Sequence, residues 1–158
     1  QAIEVFRQLQ QTSIQPNERT FGAAIAAASA CKSMKIAEEV VRALQASRAP
    51  MNIQLQTQLL LLFGSCGDLT SAEQLFQQMA EKKQLDVVSY NTMMKVLTEG
   101  GKAEQAIEVF RQLQQTSIQP NEVTFGAAIA AASACKSPQT TQEVMEALRS
   151  SGLSLSEK

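Results

Sequence analysis

One hundred and fifty-eight residues, 44% of them apolar and 18% charged, suffice for one ordinary domain with a continuous core. A net charge of −1 lacks the basic balance of most nucleic-acid binders, and no His is available for acid–base or zinc chemistry. The richest apolar run, Leu59 to Phe63, falls far short of the ~18 residues of a membrane span, so no membrane partner is expected.

Ala, Gln and Leu dominate, and all three favour helix. The chain opens at Gln1 inside a helical pattern, and neither end carries a polar capping helix; flanking repeats of a longer protein are therefore expected. The first helix runs over 1–12, with Ala2, Phe6 and Leu9 on one side, and Pro16-Asn17 follows it. A second helix over 19–31 carries the small-residue stripe Ala23 to Ala28, which permits close helix approach. Helices at 35–46 and 54–64 come next, closed by the Gly64-Ser65-Cys66-Gly67-Asp68 break. Helices at 69–81 and 88–98 lead to Gly100-Gly101, and a helix at 103–115 presents Ala106, Ile107, Val109, Phe110 and Leu113 as a one-sided stripe. Pro120-Asn121 separates it from a helix at 123–135. Ser137 as cap and Pro138 in the first turn open a last helix at 139–150.

This series is periodic. Residues 1–33 recur at 105–137 with one change, Arg19 against Val123. Small-then-bulky patterns beginning at Ala2, Ala37, Ala72 and Ala106 divide the chain into units of 34 or 35 residues, each of two helices. A pair this small cannot bury its apolar face alone, so neighbours must stack into an all-α solenoid.

Residues 87–121, VVSYNTMMKVLTEGGKAEQAIEVFRQLQQTSIQPN, resemble the pentatricopeptide repeat. The Val-Val-x-Tyr-Asn-Thr opening, the Gly turn, the Ala-Ile-x-Val-Phe-x-x-Leu second helix and the Ile-x-Pro-Asn close carry the likeness. It extends over a partial repeat at 1–17 and full repeats at 18–52, 53–86, 87–121 and 122–156. The tetratricopeptide repeat is the nearest rival, but its Trp, Leu-Gly and Tyr signature is not visible.

The resemblance implies a right-handed α-solenoid of stacked antiparallel helix pairs that binds single-stranded RNA. The whole would be a longer organelle factor, in mitochondrion or chloroplast, acting in RNA processing, stability or translation beside other proteins of an RNA-processing complex. Each repeat is expected to read one base with an early residue of its first helix and its last residue. That assigns Asn91 with Asn121 as a pyrimidine reader, C over U, and Thr57 with Asp86 as a G reader. Asp accepts only, matching the N–H donors of guanine, whereas Asn donates and accepts. Asn17 and Asn52 occupy the same repeat-end position. Gly22 with Asn52, and Gly126 with Ser156, place Gly where a polar side chain should reach, so those bases are unreadable. Val88 and Val123 are expected to sandwich a base; Arg19 and Gln54 occupy that place in earlier repeats, and an Arg plane can stack on a base as well. The one difference between the two 33-residue copies is thus either a change at a base contact or a chance surface change.

Charge opposes strong binding: the first helices carry almost none, and phosphate neutralisation supplies much of any RNA affinity. Affinity no better than roughly micromolar is expected from two readable bases. The uncharged inner face leaves a protein- or peptide-binding scaffold as the alternative. Cys31, Cys66 and Cys135, one per repeat, read as buried small hydrophobes rather than disulfide or metal ligands. Glu38-Glu39 and Glu104/Glu108 read as solvated helix faces, and Met93-Met94 as core. No residue constellation supports catalysis, a metal or a cofactor.

Overall fold

A computed structural model describes residues 2–12, 15–47 and 51–153. Among these, the helices are α1 (Ala2–Gln10), α2 (Glu18–Cys31), α3 (Met34–Ala46), α4 (Ile53–Ser65), α5 (Leu69–Glu81), α6 (Val87–Glu99), α7 (Ala103–Gln114), α8 (Glu122–Cys135) and α9 (Pro138–Ser151). Each begins and ends within two residues of its sequence expectation where both ends were predicted from periodicity and breaks. The chain divides into two compact units, Gln1–Leu75 and Phe76–Lys158.

The start of each first helix has the same physical cause. Asn17, Asn52, Asp86 and Asn121 stand in extended conformation as N-caps of α2, α4, α6 and α8, and each side-chain oxygen accepts from the backbone N–H three residues on. Such a cap satisfies a donor the helix cannot, worth about 1 kcal/mol. Asn121 does so within a full capping box, since Thr124 Oγ1 also accepts from its backbone N–H at 3.0 Å. First helices then stop at left-handed residues. Gly67 and Gly101 take this conformation freely (φ +78° and +80°), but Lys32 and Lys136 take it with φ 48° and 53°.

In the first unit α2 packs against α1, α3 and α4 around Phe6, Phe21, Ile25, Leu44, Leu55 and Leu62. In the second unit α6 packs on α7 and α8, while α8 packs on α7 and α9. First helix thus lies on first helix, and the alanines at the contact, Ala24 and Ala28 or Ala128, Ala131 and Ala132, are fully buried. Phe6 meets Phe21 edge-on at 5.8 Å, and Phe110 meets Phe125 at the same distance, so the duplicated sequence builds the same local core twice. Met93 and Met94 are core, as expected, and Tyr90 lies edge-on to Phe76 at 5.4 Å.

Second helices are tied by ion pairs. Arg7 of α1 holds Glu39 of α3 through Nε at 2.9 Å and Nη2 at 2.8 Å. Arg111 of α7 holds Glu143 of α9 through Nε and Nη2, both at 2.8 Å. The reading of Glu39 as part of a merely solvated face is corrected here: a bidentate guanidinium engages it from the neighbouring second helix. Glu38 keeps the expected i,i+4 partner, Arg42, and Glu108 instead pairs with Arg111 at i,i+3.

The cysteines need correction too. All three are free, Cys31 is exposed and the other two are only partly buried. Cys31 and Cys135 end α2 and α8, where the helix turns away from the packed stripe, while Cys66 caps α4 and packs on the edge of the first unit's core.

Candidate nucleic-acid interface

Between α6 and α8 runs a groove of about 620 Å³, lined by Val88, Asn91, Thr92, Lys95, Thr98, Glu99, Asn121, Val123, Gly126, Ala127 and Ala130. Its geometry follows from helix periodicity. Val88 and Val123 are the second residues of their helices, one turn above the packed stripe, and they stand 55% and 64% exposed. Both side chains are thus left open to water on one groove, with roughly 1.5 kcal/mol or more of burial available to each.

Asn91 lies one turn further along α6 and is buried. Its Nδ2 donates to Asn121 Oδ1 at 3.2 Å. Asn121 Oδ1 also accepts from Thr124 N and Thr124 Oγ1, both at 3.0 Å. That oxygen is therefore saturated, which orients the Asn121 amide with its N–H groups turned away from the helix end. Asn91 Oδ1, in contrast, is buried and accepts nothing from the protein. Leaving such a carbonyl unpaired costs about 1–3 kcal/mol. The two interlocked amides thus line the groove beside two exposed valines. The sequence-predicted pair Asn91 and Asn121, and the predicted stacking pair Val88 and Val123, are brought together in one groove.

Charge in the groove is balanced. Lys95 stands 4.0 Å from Glu99, with both side chains largely exposed. Such a pair contributes little to stability, but Glu99 sets a negative charge beside the one cation lining this groove.

The equivalent slot in the first unit, about 380 Å³, lies between α2 and α4 and is lined by Glu18, Arg19, Gly22, Ala23, Gln54, Leu55 and Gln58. Arg19 is exposed there, at the place expected for stacking. Asn52 caps α4 by accepting from Leu55 N at 2.8 Å, and its Nδ2 donates to Glu18 Oε1. Asn17 caps α2 and is exposed, accepting from Thr20 N and Oγ1 at 3.0 Å.

Thr57 and Asp86 belong to different units. Thr57 is buried on α4, and its Oγ1 donates to Ile53 O at 2.8 Å. Asp86 Oδ1 accepts from Ser89 N at 2.8 Å and Ser89 Oγ at 2.7 Å. Ser156, the expected partner of Gly126, lies outside the described residues. Sequence reasoning missed Gln58, which enters the first-unit slot from α4. The signal available was an amide one residue past the reading position, opposite a glycine.

Residues 85–133 match the PPR repeat family, and residues 57–83 match the PPR repeat. These are pentatricopeptide repeats. One pentatricopeptide repeat-containing protein of Arabidopsis thaliana is 30% identical over 132 residues, covering 78% of this chain and 23% of the relative. A mitochondrial one from the same plant is 26% identical over 127 residues, covering 79% and 27%. The chain thus spans about a quarter of the length of these relatives. Among solved structures, the PPR domain of A. thaliana protein-only RNase P 1, in complex with tRNA, superposes with a TM-score of 0.77 at 16% identity. That likeness covers 99% of this chain and 83% of the other. The pentatricopeptide repeat protein PPR10, in complex with an 18-nt psaJ RNA element, superposes with a TM-score of 0.78 at 20% identity over 96% of this chain and 22% of its own. The α-solenoid class expected from the sequence is the fold of these pentatricopeptide repeat structures.

Proposed function

We propose that this pentatricopeptide repeat segment binds single-stranded RNA, one base per repeat, within a longer organellar protein that acts in RNA processing, stability or translation. Its role is recognition, and catalysis is not part of it. The repeats are taken as 18–52, 53–86, 87–121 and 122–156, after a partial repeat at 1–17. The observation that carries the reading is Asn91 Oδ1, a buried acceptor without a protein donor, held beside Asn121 between two exposed valines. A base inserted between Val88 and Val123 supplies the missing donor and covers both side chains. A cytosine amino group answers the Asn91 acceptor, in keeping with C over U there.

The names of the relatives support the assignment. PPR10 and the RNase P domain are described with bound RNA, and some A. thaliana relatives are named mitochondrial. A mitochondrion is accordingly the first compartment to examine, with the chloroplast second. Thr57 on α4 and Asp86 at the start of α6 are proposed as base-reading residues, each within its own unit. Arg19 is proposed to stack on a base, with Asn17 and Asn52 at repeat ends.

The test is a titration against a randomised RNA pool at low salt, with bound sequences read out by position. Enrichment of a pyrimidine at one position, lost in Asn91→Ala, is expected. Absence of any base preference overturns the reading. The paired Lys95 and the valine-walled groove favour the scaffold alternative, whose signature is binding of an extended peptide without RNA preference.

A further inference from the structure

The two glycines at reading positions sit in near-identical sequence but in different surroundings. A Cβ on Gly126 would meet nothing within 4 Å, whereas one on Gly22 would stand 3.1 Å from Gln58 Oε1. Gln58 belongs to α4, the next first helix, and its amide lies over Gly22 where a reading side chain would otherwise project. Gln58 Oε1 is sealed from solvent and accepts nothing from the protein.

Of the polar groups around this slot Asn52 is engaged, while Glu18 and Gln54 keep exposed acceptors of their own. Asn52 spends its oxygen on the α4 cap and an N–H on Glu18. Arg19 is a cation and offers only donors. What sets Gln58 apart is that its carbonyl is buried and unpaired, as the Asn91 carbonyl is between α6 and α8. Burying an acceptor in this way is unfavourable until a donor arrives.

We infer that Gln58 reads the base of the Gly22 repeat in trans, from the following helix, and selects a base with an amino group (adenine, cytosine or guanine) over uracil. This rests on the RNA-binding reading above. Turned from Gly22 toward a base, the carbonyl accepts from an exocyclic N–H, whereas uracil has no amino group to offer it. A Cβ at position 22 would press on the Gln58 carbonyl at 3.1 Å, so glycine lets the amide keep its place over this helix without shifting. Arg19 at the slot entrance fits a role in stacking on the same base and offsetting its phosphate.

The experiment compares position-resolved binding of randomised RNA by the intact chain and its Gln58→Met, Gln58→Ala and Asn91→Ala variants. Gln58→Met keeps the side-chain length and removes the amide. With Gln58 as reader, both Gln58 variants lose preference for an amino-bearing base at one position, with a drop of about tenfold. The position altered by Asn91→Ala is a different one and keeps its preference in the Gln58 variants. A Gln58→Met protein that retains every preference overturns the inference while leaving the Asn91 site intact. If neither Gln58→Met nor Asn91→Ala changes any position, the RNA-binding reading itself fails. Thermal melts of each variant separate loss of recognition from loss of fold: preference lost at unchanged Tm supports the inference, and preference lost only with a collapsed Tm in both Gln58 variants overturns it.

Discussion

Asn91 and Asn121 are joined by one hydrogen bond, yet their replacement should have unequal consequences for stability. In Asn121→Ala the α8 cap is lost, about 1 kcal/mol. Asn91 Nδ2, buried and donating to Asn121 Oδ1 at 3.2 Å, is left without its acceptor, which adds about 1–3 kcal/mol. The sum is roughly 2–4 kcal/mol, or a fall in Tm of about 2–4 °C for each kcal/mol in a chain of this size. In Asn91→Ala the same hydrogen bond disappears, about 1 kcal/mol, but so does the carbonyl that has no donor, whose burial costs about as much or more. The net change is within about 1 kcal/mol of zero. RNA affinity falls in both variants, because both amides face the groove. The assay is urea denaturation beside fluorescence anisotropy with a labelled RNA. If Asn91→Ala destabilises the protein as much as Asn121→Ala, the Asn91 carbonyl is satisfied within the fold and is not held in reserve for a ligand.

Three further outcomes follow from the geometry. Lys136→Gly should stabilise by about 0.5–1 kcal/mol in thermal melts, since a non-glycine left-handed residue costs roughly 1–2 kcal/mol and glycine returns part of that as unfolded-state entropy; Gly101→Ala should destabilise by a similar amount. Arg111 holds the Glu143 carboxyl below its ordinary range, by hydrogen bonding first. The pair's contribution is therefore full above the normal carboxylate pKa and lost as pH falls through the lowered folded value. Both side chains are more than a third exposed, so acid titration of Glu143→Gln against wild type should show a difference under about 1 kcal/mol, vanishing at low pH. Cys31, which is exposed, should react with a thiol reagent at neutral pH well before Cys135, whose thiol is pushed up by burial and by Glu104; equal rates would show that the end of α8 is open.

Much of the fold was legible because it is local and repetitive. Apolar spacing and the Gly and Pro breaks located the helices, and a period of 34 or 35 residues located the stack. The Asn91 and Asn121 pairing was legible as family pattern. The physical reason Asn or Asp ends each repeat was not drawn from the sequence: the same side chain caps the next first helix. Cys31 was misread because its small apolar character says nothing about which way the last helical turn faces.

The duplicated 33 residues separate the two levels. Whatever depends on near neighbours is largely reproduced: the Phe6–Phe21 and Phe110–Phe125 contacts, the side-chain caps of Asn17 and Asn121 onto the third residue beyond, and the left-handed Lys32 and Lys136 recur. Whatever depends on the adjoining helix differs. Gly22 lies under the Gln58 amide and Gly126 lies open, although both sit in the same Phe-Gly-Ala-Ala-Ile segment. Periodicity and capping act within a few residues of chain and are written in the sequence, whereas the lining of a slot is set by side chains more than thirty residues away that only stacking brings within reach.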